Sequence, residues 1–177
     1  GRMAEPEDIV DFIEKDIVSK LPLRGKMMLI TAGPTYEAID PVRFIGNHSS
    51  GKMGFEIAKT AANLGAEVFL VAGPSHQQVN HSFIHRIDVK SAQDMYEACH
   101  KYFAEVDIAV LSAAVSDYRP KNVATQKIKK KEAALSIELE PTKDILKSLG
   151  EIKKKQLLVG FALETNDEVQ NAKSKLT

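Results

Sequence analysis

The chain has 177 residues, of which 44% are hydrophobic, and this is enough to bury one good core, so a single domain is the expected count. Basic and acidic residues balance at 24 each, which argues against bulk nucleic-acid binding because no global positive field attracts a polyanion. The single cysteine, Cys99, excludes a disulfide framework, and no apolar run approaches the roughly 20 residues that span a bilayer, so we expect a cytoplasmic protein with no nucleic-acid or membrane partner.

The first half of the chain predicts a strand, a long polar loop, a helix and a second strand. Residues 27–32 form an apolar run that ends at Gly33-Pro34, as expected of a buried strand followed by a turn. Apolar residues recur at helical spacing from Met53 to Leu64, and Gly65 follows where a glycine commonly ends a helix. Residues 67–72 repeat the strand pattern, so this half predicts a βαβ unit.

The second half continues the alternation of strands and helices. A capping box begins at Ser91 and predicts a helix to about residue 103. Residues 118–131 lack periodicity and carry many charges, which predicts a loop or flap. The other predicted elements are strands at 84–89, 107–112, 135–139 and 157–162, a short helix capped by Thr142, and a helix from about residue 167.

This alternation predicts an α/β, Rossmann-like three-layer sandwich with a mostly parallel sheet and a basic flap. Ligands of such sheets bind at the carboxyl ends of the strands, so the candidate site gathers the loops after residues 32, 72, 112 and 162. We assign residues 1–23 to a linker or junction segment, because their amphipathic pattern has no evident core, and residues 24–177 to the domain. The last predicted helix has no cap, so we expect the domain to be truncated at its C-terminus.

The segment Gly46–Lys52 matches the start of a phosphate-binding P-loop, G-x-x-x-x-G-K, but the match is defective. Met53 stands where a hydroxyl residue would hold Mg²⁺, and the preceding predicted strand ends fourteen residues before Gly46. What remains is a predicted helix start that offers backbone N–H groups and hydroxyls to an anion, with an ordinary N-cap as the alternative. We favour phosphate binding because three polar donors lie within ten residues, namely Arg43, Asn47 and Lys52.

A second basic cluster lies in the predicted flap. Its members are Lys121, Lys127, Lys129, Lys130 and Lys131. Such a density of charge can neutralise a triphosphate, although a solvated surface is the usual alternative. The functional interpretation is favoured because the flap directly follows residues 113–118, the loop that leaves a core strand at the predicted site.

Other common site types find no support in the sequence. The five histidines show no metal-binding spacing, so we predict no metal ligands. The G-x-G-x-x-G fingerprint of dinucleotide binding and the G-x-S-x-G elbow of serine hydrolases are both absent. Cys99 lies in a predicted helix with no partner base nearby in sequence, so we interpret it as a small buried thiol.

Four ordered motifs together resemble phosphopantothenate-cysteine ligase. They are residues 40–54 (DPVRFIGNHSSGKMG), 113–118 (AAVSDY), 127–130 (KIKK) and 160–165 (GFALET). The resemblance covers residues 27–177, and residues 1–9 resemble the junction after the decarboxylase half of the bifunctional bacterial protein. It implies that the chain is the ligase half, with FMN expected only in a decarboxylase domain outside it.

The resemblance implies a reaction in coenzyme A synthesis. The family joins cysteine to 4'-phosphopantothenate: CTP, with Mg²⁺, converts the carboxylate to an acyl-cytidylate and releases pyrophosphate, and the amine of cysteine then displaces CMP. CTP is expected over ATP because the flap is similar to that of bacterial members, and at least a homodimer is expected. A non-catalytic, Rossmann-like nucleotide-binding module is the alternative that the residues alone leave open.

The resemblance also implies roles for individual residues. Asn47 is expected to donate to the acyl-cytidylate carbonyl, Arg43 to support the same region, and Lys127 to neutralise the triphosphate, and these three form the predicted catalytic group. Asp117 is expected to bind the nucleotide, and Ala113 to let the backbone approach the ligand closely. The other predicted nucleotide-binding residues are Ser49, Ser50, Gly51, Lys143, Asp144, Ile145, Leu146, Phe161 and Lys175.

Overall fold

The computed structural model describes residues 3–130 and 134–161. Within these ranges the helices are α1 (Pro6–Ser19), α2 (Lys52–Asn63), α3 (Ala92–Phe103) and α4 (Ile145–Ile152). The strands are β1 (Met27–Ala32), β2 (Tyr36–Ala38), β3 (Phe44–Gly46), β4 (Glu67–Ala72), β5 (Ile84–Asp88), β6 (Ile108–Leu111), β7 (Tyr118–Pro120), β8 (Leu139–Pro141) and β9 (Leu157–Gly160). The helix predicted from residue 167 lies outside the described residues.

A five-stranded parallel sheet organises the chain, with the strands in the order β5-β4-β1-β6-β9. The chain starts at the centre with β1, moves outward through β4 and β5, and then crosses to β6 and β9 on the other side. The direction of winding therefore reverses between β1 and β6. Such a reversal opens a crevice at the carboxyl ends of the two strands, where Rossmann-like sheets bind their ligands. The predicted fold class is confirmed.

Helices cover both faces of this sheet, because successive residues of a strand point to opposite sides. On one face, Ile30 of β1 and Leu70 of β4 are fully buried against α2. On the other face, Leu29 and Val71 of the same strands pack with residues of α3 and α4. Cys99 of α3 belongs to this second cluster, as expected for a small buried thiol.

Helix α2 lies unusually close to the central strand at its first turn. A Cβ atom added to Gly54 would stand 2.6 Å from the Ala32 Cβ and 2.8 Å from the Thr31 carbonyl oxygen. Only glycine therefore allows this approach. At the other end, Gly65 has a φ of 93°, which is the left-handed conformation predicted for the residue that follows the helix.

Two small antiparallel sheets lie outside the main one, and the sequence analysis missed both pairings. Strands β2 and β3 form a hairpin inside the predicted long loop, and β7 pairs with β8. The edge strand predicted at 135–139 is wrong, because the pairing falls at Leu139–Pro141. Cross-strand ion pairs add to this ladder: Arg119 contacts Glu140 at 2.8 Å, and Lys121 contacts Glu138 at 2.8 Å.

Of the two helix caps predicted from the sequence, one is confirmed and one is wrong. Ser91 forms the predicted capping box with Asp94 at the start of α3. Thr142 does not cap α4: the cap is Asp144, whose carboxylate accepts the Lys147 N–H at 2.9 Å. The Thr142 hydroxyl instead donates to the Ser116 carbonyl at 2.6 Å, so this side chain is engaged elsewhere and does not cap the helix.

The helix α1 accounts for the amphipathic segment near the start of the chain. None of its residues is buried, in agreement with the absence of a core of its own. Its apolar side chains, such as Phe12, are largely exposed. Across the described residues, no helix combines the length and the apolar character needed to cross a membrane.

Candidate nucleotide-binding cleft and flap

A cleft of about 310 Å³ opens at the carboxyl edge of the sheet, beside the reversal between β1 and β6. Its walls come from the end of β1, the loop after β6, the start of α4 and the end of β9. The predicted site residues that line it are Ala113, Asp117, Lys143, Asp144, Ile145, Leu146 and Phe161. The loop after β6, the start of α4 and the end of β9, which are far apart in sequence, thus meet around one volume, whereas the predicted loops after residues 32 and 72 do not line it.

The loop after β6 is held firmly against β1 by hydroxyl groups. The Ala113 N–H donates to Thr31 Oγ1 at 3.1 Å, and the Ser112 hydroxyl donates to the Thr31 carbonyl at 2.7 Å. Further along, the Ser116 N–H donates to Thr35 Oγ1 at 2.9 Å. The sequence analysis missed these hydroxyl residues, although their position at the ends of apolar strands was a usable signal.

The start of α4 forms the opposite wall of the cleft. The Asp144 carboxylate caps the helix, so its structural role is assigned by the geometry. The Lys143 ammonium lies 4.5 Å from the centroid of the Tyr96 ring, which places a positive charge at the wall. Phe161 is 54% exposed at the end of β9, so its ring is available to a ligand instead of being packed in the core.

The start of α2 is the helix end at which the sequence predicts an anion site, and its cap is not one of the serines. The N-cap is Gly51, with a φ of 77° and no side-chain capping bond. The two serines still accept backbone N–H groups at the helix start, as the N-cap alternative expected, but from the positions before the cap. Ser49 Oγ accepts the Gly51 N–H at 3.2 Å, and Ser50 Oγ accepts the Lys52 N–H at 3.3 Å. The first turn of a helix without a side-chain cap keeps N–H groups and a positive dipole end for an anion.

The short strand before this helix start is β3, which belongs to the hairpin and not to the central sheet. A P-loop leaves a central strand directly, so the defective P-loop match is a coincidence of sequence.

Asn47, just after β3, joins the hairpin to the cleft. Its side-chain amide donates to the Val115 carbonyl at 3.0 Å, and Val115 lines the cleft. Asn47 itself does not line the cleft, and neither do Arg43, Lys127 or Ser49 to Gly51. The predicted site residues therefore fall into two groups that this amide connects.

Arg43 lies at the flap. One guanidinium nitrogen, Nη2, donates to the Ile128 carbonyl and lies 3.1 Å from Asp40 Oδ2. Lys127 precedes Ile128 and is exposed.

The predicted basic cluster is only partly described by the structure. Lys121 is paired with Glu138 at the base of the flap. Lys131 lies outside the described residues, as does the predicted nucleotide-binding Lys175.

Asp40 is a buried carboxylate that the sequence analysis did not single out. Its Oδ1 atom accepts the N–H groups of Val42 and Arg43, both at 2.8 Å, and its Oδ2 atom accepts the Ile128 N–H at 3.1 Å. Burial disfavours the charged form, but the backbone donors and the Arg43 guanidinium outweigh it and hold the pKa of Asp40 below its ordinary value.

Two other chemistries can be checked in the structure. Burial raises the pKa of the Cys99 thiol to about 12, so this thiol is protonated and inert at neutral pH. Within residues 3–130 and 134–161, no three His, Cys, Asp or Glu side chains cluster as a metal site would require.

The sequence matches the family model of the DNA/pantothenate metabolism flavoprotein C-terminal domain over residues 23–177. A curated relative described as a cysteine/cysteine sulfinic acid decarboxylase, from an unknown prokaryotic organism, is 52% identical over 99% of the chain and 50% of its own length. The coenzyme A biosynthesis bifunctional protein CoaBC of Bacillus subtilis is 48% identical over 99% of the chain and 44% of its own length. The chain thus spans about half the length of these relatives.

Solved structures give the same assignment. The C-terminal domain of a coenzyme A biosynthesis bifunctional protein CoaBC superimposes with a TM-score of 0.77 at 52% identity, covering 89% of this chain and 74% of that one. A Cab2 variant in complex with phosphopantothenate-cysteine shares the fold, with a TM-score of 0.72 at 19% identity, covering 98% of this chain and 77% of that one. The chain therefore belongs to the family of DNA/pantothenate metabolism flavoprotein C-terminal domains and is similar to the C-terminal domain of CoaBC.

Proposed function

We propose that the chain is a phosphopantothenate-cysteine ligase domain that uses CTP to join L-cysteine to 4'-phosphopantothenate through an acyl-cytidylate. The observation that carries the proposal is the cleft beside the sheet reversal, where three segments that contain predicted nucleotide-binding residues meet. The likeness to the CoaBC C-terminal domain supports the reaction class. The decarboxylase name of another relative describes a protein of which this chain covers half.

In the first step, a carboxylate oxygen of 4'-phosphopantothenate attacks the α-phosphorus of CTP. A P–O bond forms to the acyl oxygen, the bond to the leaving phosphate breaks, and pyrophosphate departs. Negative charge concentrates on phosphate oxygens, so positive groups placed around them lower the barrier. The exposed ammonium of Lys127 and the first turn of α2, whose N-cap Gly51 has no side chain, are the groups that supply this charge.

In the second step, the amine of cysteine attacks the acyl carbon, the nitrogen loses a proton to solvent, and CMP leaves with the electron pair of the acyl C–O bond. The acyl oxygen becomes negative in the transition state, and a positioned donor stabilises it by about 3 kcal/mol. The Asn47 amide is that donor. Its bond to the Val115 carbonyl uses one of two N–H groups and leaves the second for the substrate.

The charge of the triphosphate also requires Mg²⁺ in this proposal. Mg²⁺ commonly binds to proteins through one or two carboxylates together with substrate phosphates. That pattern fits a cleft in which Asp117 is the exposed carboxylate and Asp144 is engaged as a helix cap. The ion would arrive bound to CTP, and the residues of the chain would hold the phosphates. The homodimer, the decarboxylase partner with its FMN, and the cytoplasmic location stay predictions.

The experiment is a product assay with CTP, Mg²⁺, 4'-phosphopantothenate and cysteine. Mass spectrometry should detect phosphopantothenoylcysteine together with CMP, in equal amounts. Replacement of CTP by ATP should lower the rate, and omission of cysteine should stop product formation. If neither CTP nor ATP gave product, the proposal would be contradicted. A higher rate with ATP than with CTP would reject only the acyl-cytidylate intermediate and leave the ligase reaction standing.

A non-catalytic nucleotide-binding module remains the second candidate, because the sheet order is that of dinucleotide-binding folds. The two candidates separate in a thermal-shift comparison of CTP, ATP and NADP. Selective stabilisation by CTP in the presence of Mg²⁺ supports the ligase, and selective stabilisation by NADP favours the binding module.

A further inference from the structure

We propose that Asp40 is a positioning residue that holds the flap against the β2–β3 hairpin, so that Lys127 is presented to the triphosphate. The proposal rests on the proposed function for its kinetic consequence, but not for its structural one. Asp40 acts through the backbone of Ile128, the residue next to Lys127, and contacts no substrate itself.

The two oxygens of the Asp40 carboxylate serve different parts of the chain. Oδ1 accepts the N–H groups of Val42 and Arg43, which closes the turn between β2 and β3. Oδ2 accepts the Ile128 N–H at 3.1 Å and pairs with the Arg43 guanidinium at 3.1 Å. A residue that only closed a turn would need one acceptor oxygen, so the second oxygen is explained by the flap.

Ile128 is held on both sides of its peptide backbone. Its N–H donates to Asp40, and its carbonyl accepts from Arg43 Nη2. Since Asp40 also fixes that guanidinium, one carboxylate controls both bonds. The Asp40 side chain is fully buried while the Arg43 side chain is 41% exposed, so Asp40 is the fixed point of the arrangement.

The rest of the described flap has few attachments. Among residues 121–130, only Ala124 and Ile128 are partly buried, and the others are exposed. At the base of the flap Lys121 is tied to Glu138, and beyond it the Ala124 N–H donates to the Ile39 carbonyl at 3.0 Å, so both partly buried residues attach to the turn of the same hairpin. Lys127 lies between them and next to the stronger one.

The β2–β3 hairpin also contacts the cleft. Asn47, which follows β3 directly, donates to the Val115 carbonyl in the cleft wall. One short hairpin therefore holds the backbone next to the flap lysine at its turn and the cleft loop at its end. This geometry lets the hairpin set the distance between the triphosphate charge and the acyl group.

Asp40→Asn separates the two functions of the carboxylate. The amide oxygen can still accept the Val42 and Arg43 N–H groups, but the amide NH₂ faces the Ile128 N–H and cannot accept from it. We expect hydrogen exchange of the Ile128 amide to become about 10- to 100-fold faster, because the lost bond is to a charged group. Amides of β1 and β6 should exchange at unchanged rates.

Asp107→Asn is the matched control. Asp107 also accepts a backbone N–H, that of Met27 at 3.1 Å, and also pairs with a cation, Lys26, but it lies at the amino edge of the sheet. Its substitution should leave flap exchange unchanged. Arg43→Lys keeps the positive charge but lacks the planar, multi-donor guanidinium group. It should therefore accelerate hydrogen exchange of the flap amides as Asp40→Asn does. Unchanged flap exchange, or a uniform increase over the whole chain, would overturn the proposal.

A double-mutant cycle with Lys127→Gln tests the kinetic consequence. If Asp40 acts through Lys127, Asp40→Asn slows pyrophosphate release about 10-fold or more with Lys127 present and has little effect in the Lys127→Gln background. If Asp40→Asn slowed pyrophosphate release by the same factor in both backgrounds, Asp40 would have a purely structural role and the positioning role would be rejected. Failure of the proposed ligase function is distinguishable, because it removes the rate in wild type and leaves the exchange result intact.

Discussion

The cleft and the flap side of the candidate site are held in different ways. The cleft loop after β6 is bonded along its length to β1 and to the segment that follows β1, by the Thr31 and Thr35 hydroxyls and by an Ala114 N–H bond to the Gly33 carbonyl at 2.8 Å. The described flap touches the hairpin turn at two residues, and the buried carboxylate of Asp40 controls one of these contacts.

The difference indicates a division of labour. A nucleotide base is planar and rigid, so in the proposed reaction a rigid sheet edge would recognise it with little reorganisation. The charge of a triphosphate changes as pyrophosphate leaves, so a lysine on a lightly attached flap can meet that charge and then release the product. Substitutions in the two regions should therefore have different kinetic and thermodynamic effects.

The largest effect is expected on the flap side. Lys127→Gln should slow pyrophosphate release about 1,000-fold, because the leaving phosphates lose their positive partner in the transition state. Pre-steady-state measurement of pyrophosphate checks this. Lys59→Gln, which removes a lysine paired with Glu56 on α2, serves as the control and should react like wild type. A normal rate in Lys127→Gln would place the catalytic charge elsewhere.

Where hairpin and cleft meet, Asn47→Asp should spare the first step and slow the second about 100-fold, because the donor to the acyl oxygen is lost. Acyl-cytidylate should then accumulate and be visible by mass spectrometry. The exposed Asn63 at the end of α2 provides the control, Asn63→Asp. Product formation at the normal rate in Asn47→Asp would remove this residue from the mechanism.

A structural prediction concerns the approach of α2 to β1. Gly54→Ala should lower the free energy of unfolding by about 1–3 kcal/mol, because the added Cβ would overlap Ala32 and Thr31. Gly150→Ala, in α4, has open space around its added Cβ and should raise the free energy by about 0.5–1 kcal/mol. Denaturant unfolding measures both, and equal shifts would contradict the close contact.

The smallest effect is a pH dependence at the flap anchor. Because the pKa of Asp40 is lower in the folded protein than its ordinary value of 3.8, its ionised form stabilises the fold above that value. This contribution is lost as pH falls through the lowered pKa. Asp40→Asn should therefore be less stable than wild type at neutral pH and approach it in strong acid. A constant difference between them from neutral pH down to strong acid would contradict the assignment.

Much of the fold follows from local patterns in the sequence. The strand at Met27–Ala32, the capping box at Ser91 and the turn at Gly65 depend on periodicity and on single-residue conformations, which a sequence displays directly. The pairing of Leu139–Pro141 with β7 depends on long-range contacts, so the alternation at 135–139 misplaced it. Local pattern does not specify which strand a short edge segment will meet.

The candidate site shows the same limit. The resemblance predicts roles for Asn47 and Lys127, but nothing in the sequence around Asp40 shows that its carboxylate receives a donor from residue 128. A lone aspartate before a proline is typical of a turn, and the turn accounts for only one of its oxygens. The second contact exists because the chain returns to the hairpin eighty-eight residues later.

In the proposed reaction the chain activates a carboxylate before an amine arrives, and the order of product release distinguishes this sequence of steps from any other. The protein is mixed with CTP, Mg²⁺ and 4'-phosphopantothenate, pyrophosphate is measured, and cysteine is added afterwards. We predict a burst of pyrophosphate close to one equivalent per site before cysteine, followed by CMP on its addition. Pyrophosphate that appears only after cysteine would contradict the account.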